Sequence, residues 1–257
     1  MAWYLYLAVV AAGFAAGFIN TLAGSGSLIT LPLLIFLGLP ANVANGTNRV
    51  GILLQNAVAV SSFRRQKVLD LRGGLMLSAP AVLGSILGAQ IAVNLDEQTM
   101  RRTIGALMVV MLILMLARPN RWLEGRTQMI SQRPAWTQLL VFFAIGMYGG
   151  FIQAGVGIFL LAGLVLGAGY DLVRANAVKN FIVLLFTVSA LMVFLLNDQV
   201  VWSIGLIMGL GSMLGAWVAA RMAVERGAAF VRWVVIVVVV VSSAELLGVF
   251  DWVARLF

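Results

Sequence analysis

The apolar stretches of this chain are too long and too closely spaced for a protein that folds in water. Ten mostly apolar stretches follow one another with short polar segments between them, and only 10% of the residues are charged. A soluble domain carries about 25% charged residues, whereas this chain has a mean hydropathy of +1.05. A helix that crosses a bilayer needs about 20 apolar residues. The sequence therefore predicts an all-α polytopic membrane protein with roughly eight to ten helical elements.

The apolar stretches form two sets of five that share the same order of features. The first set comprises 1–20, 28–39, 43–63, 73–95 and 103–117; the second comprises 137–152, 158–169, 172–196, 202–224 and 230–250. In each set a glycine-rich break, at 23–27 or at 153–157, precedes a short second stretch. The third stretch of each set begins with a polar cluster. We expect each break to interrupt a helix or to begin a re-entrant one.

Matching residues indicate that the two sets arose by duplication. Gly13 and Gly17 correspond to Gly146 and Gly150, and a two-residue gap brings the two glycine-rich breaks into register. We therefore predict a first membrane repeat over 1–117 and a second over 137–257. The basic segment 118–136 is the predicted cytoplasmic loop between them.

The distribution of Lys and Arg predicts that the two repeats have opposite orientations. Excess positive charge marks cytoplasmic loops, and the basic loop 63–73 corresponds in the second repeat to a loop around 197–200 without basic residues. Five elements per repeat produce this inversion and place both termini outside. In this topology the cytoplasmic side holds Arg64, Arg65, Lys67, Arg72, Arg118, Arg121, Arg126, Arg133, Arg221, Arg226 and Arg232, and the outer side holds Arg101, Arg102 and Arg255.

The two glycine-rich breaks are the first candidate for a functional site. Non-helical backbone at membrane depth is tolerated only where it is buried in protein or lines a wet cavity. Paired interruptions in two repeats are typical of transport sites, and helix starts at a break favour anions. Asn20 and Gln153 end the helices that lead into the breaks, and Ser25 and Ser27 lie on the first break. The alternative is that the glycines only permit close helix crossings.

The polar clusters that begin the third stretch of each repeat are the second candidate. Asn45 and Asn176 occupy one repeat-related position, and Asn48 corresponds to Lys179. A charged side chain at the bilayer centre costs about 2.5–3.5 kcal/mol on insertion scales, so such residues are commonly functional. The alternative is that the cations extend to the interface. The candidates in the two clusters are Asn45, Thr47, Asn48 and Arg49, and Asn176, Lys179 and Asn180.

The composition excludes several other functions. The chain has no Cys and no His, which removes disulfide and thiol chemistry, the commonest metal ligand and the usual side-chain proton carrier. No P-loop and no paired intramembrane carboxylates are found. The net charge of +8 is explained by cytoplasmic loops and does not indicate nucleic-acid binding. We expect neither an enzyme nor a bound cofactor or metal.

Motifs in both halves resemble the TauE/SafE family of sulfite exporters. The resemblance covers nearly the whole chain. It is carried by Gly17-Phe18-Ile19-Asn20, Gly24-Ser25-Gly26-Ser27, Leu31-Pro32 and Ala44-Asn45-Gly46-Thr47-Asn48-Arg49, and by Gly149-Gly150-Phe151, Gly155-Val156-Gly157 and Asn176-Ala177-Val178-Lys179. It implies transport of sulfite, sulfoacetate or related organosulfonates across a bacterial inner membrane, with coupling to the proton gradient. Val156 and Ile158 replace Ser25 and Ser27, so the first half is expected to supply more ligands.

The function predicted from the sequence is a secondary transporter, an exporter of small sulfur-containing anions. Arg49 and Lys179 are expected to supply charge, and the amide and hydroxyl side chains are expected to supply hydrogen bonds. A passive anion channel, an importer of the same anions and a membrane protein without substrate remain alternatives. The expected partners are the anion and the lipid bilayer; the oligomeric state is left open, and a homodimer is one expected form.

Overall fold

The chain is built from helices, and a computed structural model describes residues 3–117 and 135–246. No strand occurs within these ranges. The helices are α1 (Trp3–Ala23), α2 (Ser27–Phe36), α3 (Ala41–Arg65), α4 (Leu71–Val93), α5 (Glu97–Ala117), α6 (Trp136–Phe151), α7 (Val156–Ala162), α8 (Leu172–Leu196) and α9 (Trp202–Leu246). A π-helical turn over Gly163–Gly167 extends α7, and non-helical backbone at Gly227 divides α9.

These helices confirm the prediction of an all-α membrane protein. Three of the described helices, Leu71–Val93, Leu172–Leu196 and Trp202–Gly227, are long and apolar enough to cross a bilayer. The short stretches after the breaks are α2 and α7, as predicted. The second part of α9 corresponds to the predicted stretch 230–250, whose last residues lie outside the described range. The predicted loop 118–136 also lies almost entirely outside it.

Glycines allow the first helix of each half to pack closely on the other half. Gly13 and Gly17 of α1 contact the backbone of Met208 and Ser212 in α9. In the same way, Gly146 and Gly150 of α6 contact the backbone of Ala81 and Ser85 in α4. The contacting residue numbers rise together in both pairs, so each pair is parallel. Small residues that let backbones approach closely are the usual means of helix association in a membrane.

Polar residues join the two halves at the ends of the helices. Asp70 caps α4 by accepting from Gly73 N at 3.0 Å, and it also accepts from Tyr170 Oη at 2.7 Å. Burial and this bond to Asp70 raise the pKa of the Tyr170 hydroxyl. Beyond the start of α3, Thr47 Oγ1 accepts from Val201 N at 2.9 Å. Such contacts hold α3 and α8 at the centre, each between helices of both halves. The opposite membrane orientation of the halves stays a prediction.

Candidate functional site

The two glycine-rich breaks lie against each other at the centre of the protein. Gly157 N donates to Gly24 O at 3.3 Å, which links the break after α1 directly to the break after α6. Gly24 has a φ of +77° and Gly155 a φ of +71°, a left-handed conformation that glycine adopts without steric cost. A methyl group on Gly24 or on Gly157 would overlap the backbone of the other. Glycine is therefore required here both by conformation and by close approach.

Lys179 of α8 binds the end of α1. Its ammonium group donates to Asn20 O at 3.0 Å and to Thr21 O at 2.7 Å. The next residue, Asn180, also donates to Thr21 O, at 3.1 Å. Because the last carbonyls of a helix lack partners and carry its negative dipole end, a cation stabilises them. A cation of the second half thus caps the broken helix of the first half.

Arg49 of α3 makes the reciprocal contact at the end of α6. Its guanidinium donates to Gly149 O at 3.1 Å and to Gly150 O at 2.5 Å. It also donates to the side-chain oxygen of Gln153 at 3.1 Å and lies 4.6 Å from the ring centroid of Phe194. Gln153 in turn donates to Thr187 Oγ1 at 2.9 Å and has a φ of +63°. A cation of the first half therefore caps the broken helix of the second half.

Neither of these cations has a carboxylate partner among the side chains that the structure describes. Arg49 is 0% and Lys179 1% exposed. The ion pairs found are all on the surface, at Arg101–Glu97, Arg174–Asp171 and Arg221–Glu225. Burial of a charge without a counter-charge is expensive. The carbonyl groups offset part of that cost, and both cationic side chains lie beside the breaks without a described counter-charge.

A chain of polar side chains lines the first break. Thr30 Oγ1 donates to the side-chain oxygen of Asn48 at 2.6 Å, and the amide group of Asn48 donates to Ser27 Oγ at 3.2 Å. The hydroxyl of Ser25 is buried and has no partner among the residues that the structure describes. At the second break, Val156 stands where the first break has a serine. The first half therefore presents more hydroxyl groups at its break, and the expectation that it supplies more ligands stays a prediction.

The two repeat-related asparagines have different surroundings. Asn45 donates from its amide group to Phe151 O at 2.7 Å, and its oxygen accepts from Arg49 at 3.5 Å. Asn176 is equally buried, yet neither its amide nitrogen nor its oxygen has a partner in the described structure. A buried amide that makes no hydrogen bonds has given up its contacts with water without compensation, which is unfavourable. Among the described side chains of this region, Asn176 is the one whose amide nitrogen and oxygen both lack a partner.

A small cavity adjoins the first break. Its volume of about 10 Å³ is about the room that one water molecule needs. The polar residues that line it are Asn20, Ser27, Thr30, Asn48, Gln55 and Ser212. The site is closed in this conformation, and a polyatomic anion would require the helices around it to move apart.

The structure brings most of the predicted site residues together. Ten of the eleven lie at or beside the meeting breaks: Asn20, Ser25, Ser27, Asn45, Asn48, Arg49, Gln153, Asn176, Lys179 and Asn180. Thr47 is buried but faces the start of α9, where it binds Val201 N.

Thr30, Thr187, Gln55 and Ser212 were missing from the predicted set. Thr30 binds Asn48, Thr187 binds Gln153, and Gln55 lines the cavity with an unpartnered amide nitrogen. Helical periodicity could have found Thr187, which follows Asn180 by seven residues and so lies two turns along the same face.

Comparison with known proteins assigns this arrangement to the membrane transporters. A protein of a Sinorhizobium species named probable membrane transporter protein ORF9 is 30% identical over 248 residues, which cover 96% of this chain and 94% of the relative. A probable membrane transporter protein of Haemophilus influenzae is 29% identical over 240 residues, or 93% of each chain. The Escherichia coli K12 protein YfcA, similarly named, is 29% identical over 233 residues, which cover 90% of this chain and 86% of the relative.

The family can also be stated. A family model described as sulfite exporter TauE/SafE matches residues 9–246. The chain belongs to this family and is a multi-pass membrane transporter rather than an enzyme. The resemblance seen in the sequence motifs is thereby confirmed.

Proposed function

We propose that this transporter carries small anions and binds them where the two breaks meet. The observation that carries the proposal is the pair of buried cations, Arg49 and Lys179, without a described carboxylate partner. An anion between them would neutralise charge in a weakly screened setting, where electrostatic attraction is strong. The unpartnered amide of Asn176 and the hydroxyl of Ser25 would supply further hydrogen bonds. Arg49, Lys179 and these two side chains are the proposed ligands.

The substrate class that we propose is sulfite, sulfoacetate or a related organosulfonate. Membership of the sulfite exporter family supports this choice. Sulfur oxyanions present several acceptor oxygens and no donor, and the candidate site offers ammonium, guanidinium, amide and hydroxyl donors. We further propose that the direction is export across the bacterial inner membrane, with import through the same site as the alternative.

The closed cavity favours a transporter over a passive anion channel. The space beside the first break is about 10 Å³, so the described conformation offers an anion no open path there. A transporter alternates between states in which the site opens to one side. A channel would instead keep a continuous polar pore in its conducting state.

Counterflow in liposomes tests this function. We expect purified protein, reconstituted into liposomes loaded with unlabelled sulfite, to accumulate labelled sulfite in a saturable manner. Sulfoacetate and taurine should be tested alongside, with acetate as the carboxylate analogue. The matched control is Arg101→Gln, which removes an exposed cation from the surface and should leave counterflow unchanged. Single-channel conductance without saturable counterflow would establish the channel instead, and no transport of any sulfur anion would refute the substrate class.

We also propose that residues 1–117 and 137–257 are two repeats of opposite membrane orientation. The reciprocal pairing of α1 with α9 and of α6 with α4 supports the two-fold relation of the repeats. Their opposite orientation is supported by the basic loop 63–73, whose counterpart around 197–200 has no basic residues. Cysteines at the exposed positions Arg64 and Asn197 can be introduced into this Cys-free chain. A membrane-impermeant thiol reagent should label the two from opposite sides of the membrane. Labelling of both from one side would rule out the inversion.

A further inference from the structure

A groove between α3 and the first part of α9 lies apart from the breaks. Its volume is about 850 Å³, and it is open along one side. Gly51 and Gly209 let the two helices approach closely about one turn before Leu54. At the other end Gln66 bridges the helices by donating to Ala220 O at 3.4 Å. The residues that line it are Leu54, Ala57, Val58, Ser61, Ser62, Arg65, Gln66, Met213, Trp217, Arg221 and Glu225; we refer to it as the α3/α9 groove.

The α3/α9 groove is apolar along most of its length and charged only at one end. Leu54, Val58 and Met213 form the apolar walls, whereas Arg65 and Arg221 lie together at the end where both helices finish. α3 and the first part of α9 are parallel, so the two arginines lie on the same side of the membrane. The distribution of Lys and Arg in the sequence predicts that this side faces the cytoplasm. One acidic residue, Glu225, also lies there, so the two arginines leave a net positive charge.

Trp217 connects the apolar and the charged parts of the groove. The guanidinium of Arg221 lies 5.0 Å from the Trp217 ring centroid, and Trp217 is 48% exposed. The pair between Arg221 and Glu225 is long, at 3.9 Å, and both side chains are more than half exposed. A tryptophan of this kind is typical of the boundary between the hydrocarbon core and the headgroups of a bilayer.

We propose that the α3/α9 groove binds an anionic phospholipid. The phosphate would lie between Arg65 and Arg221, and an acyl chain would lie along the apolar walls beside Trp217. Two observations favour a lipid over a small free anion: a hydrated anion gains nothing from apolar walls, and the charge is confined to the headgroup level. Basic pockets between transmembrane helices on the cytoplasmic side suit such headgroups.

Quenching of tryptophan fluorescence by brominated lipids tests this proposal. Bromine on an acyl chain quenches only at close contact, so brominated phosphatidylglycerol should quench the protein in phosphatidylcholine nanodiscs at low mole fraction. Brominated phosphatidylcholine at the same fraction should not. The chain has seven Trp residues, and Trp217→Phe should remove the part of the signal that saturates at low lipid fraction.

Two double variants distinguish lipid binding in the α3/α9 groove from attraction by the basic surface in general. Arg65→Gln with Arg221→Gln should weaken phosphatidylglycerol binding about tenfold or more, since two charge-assisted contacts are lost. The control, Arg64→Gln with Arg72→Gln, removes equal charge from exposed positions outside the groove and should change binding less than about twofold. Melting temperatures in pure phosphatidylcholine show whether each variant is folded.

Three results would overturn the lipid proposal. Equal weakening in both double variants would mean attraction by the basic surface as a whole. Competition by free glycerol phosphate as strong as by the lipid would mean that the acyl chain contributes nothing. Displacement of the lipid by sulfite or sulfoacetate at transport concentrations would assign the groove to substrate entry.

Discussion

The two breaks perform the same structural task with different chemistry. The first break, after α1, is capped by the ammonium of Lys179 through two carbonyl groups. The second break, after α6, is capped by the guanidinium of Arg49, which also binds the side chains of Gln153 and Asn45. The first break carries hydroxyl groups and adjoins a small cavity, whereas Val156 and Ile158 stand at the second break where the first has Ser25 and Ser27.

The difference indicates that the two halves, which we propose to be repeats, divide their roles. Arginine, with five donors in a rigid fork, satisfies several acceptors at once, while lysine keeps a compact and movable charge. Lys179 has one ammonium proton beyond its two carbonyl bonds, and Asn176 beside it is unpartnered. We therefore expect the second break to act chiefly as a fixed support and the region of Lys179 to respond to the anion.

The largest expected effect is a loss of stability when the close contact between the two breaks is disrupted. Gly24→Ala would introduce both an overlap with Gly157 and an unfavourable φ of +77°. It should destabilise the protein by about 3 kcal/mol or more, which lowers Tm by roughly 10 °C. Gly157→Ala introduces only the overlap, and Gly38→Ala, with a φ of +92° and open space around it, introduces only the backbone strain.

Thermal melting of the three purified variants in detergent checks this order. The expected losses decrease from Gly24→Ala to Gly157→Ala to Gly38→Ala. If Gly38→Ala and Gly24→Ala melt at the same temperature, backbone strain alone accounts for the effect, and the contact between the breaks is unimportant for stability.

Replacing Arg49 and Lys179 by glutamine should show how each cation contributes to anion binding and to stability. Arg49→Gln and Lys179→Gln should each weaken anion binding about tenfold or more, since a charge-assisted contact is lost. Arg49→Gln should also lower Tm more than Lys179→Gln, because the guanidinium holds more acceptors in place. Arg49→Lys should restore part of the affinity, since it keeps the charge but not the fork. Anion dissociation constants and ligand-free melting temperatures are the measurements.

An unchanged affinity would contradict the proposed site. If both glutamine variants melt at lower temperature and bind sulfite as the parent protein does, the cations only hold the helix ends. The two cations would then have a structural role only, and the anion would bind elsewhere.

The two asparagines allow a test within one repeat-related position. Asn176→Leu should weaken anion binding about tenfold and leave Tm unchanged or raised, because the amide has no partner to lose. Asn45→Leu should lower both Tm and affinity, because its amide holds Phe151 O and Arg49. Equal loss of Tm in the two variants would show that Asn176 has a structural partner in solution.

The smallest expected effect concerns the hydroxyl groups. Ser27→Ala removes one neutral hydrogen-bonding group from the first break and should weaken anion binding about two- to tenfold, equivalent to about 0.5–1.5 kcal/mol. The control at the corresponding position of the second break, Ile158→Ala, should leave affinity unchanged. Isothermal titration with sulfite measures both variants, and a larger effect at Ile158 would reverse the assignment of the ligand-rich half.

Much of the fold and of the candidate site could be predicted from local features. Hydropathy predicted α4 and α8 within a few residues, because lipid imposes a helix of bilayer length on any spanning segment. The breaks were recognisable because glycine and serine interrupt an otherwise apolar run. The breaks at 23–27 and 153–157 were predicted to form a site because paired interruptions in two repeats are typical of transport sites.

The partners of the buried polar groups could not be predicted in this way. The sequence suggested that Arg49 and Lys179 face the substrate, and nothing in it indicated that each caps a helix of the opposite half. Those acceptors are main-chain carbonyl groups about 100 and 159 residues away, and a carbonyl has no residue-specific signal. The position of the Thr47 side chain could not be predicted either, because its distance from the breaks depends on the rotation of α3 about its axis.

The sequence by itself determined that this chain spans a membrane, and it predicted two repeats, because hydrophobic length and glycine placement act locally along the chain. Only the tertiary structure decided which asparagine is satisfied, which polar groups line the small cavity and which cation holds the more acceptors. These properties arise from packing between halves, where a shift of about one helical turn exchanges one set of hydrogen-bond partners for another. The equivalence of Asn45 and Asn176 was thus a property of the sequence, and their difference is a property of the fold.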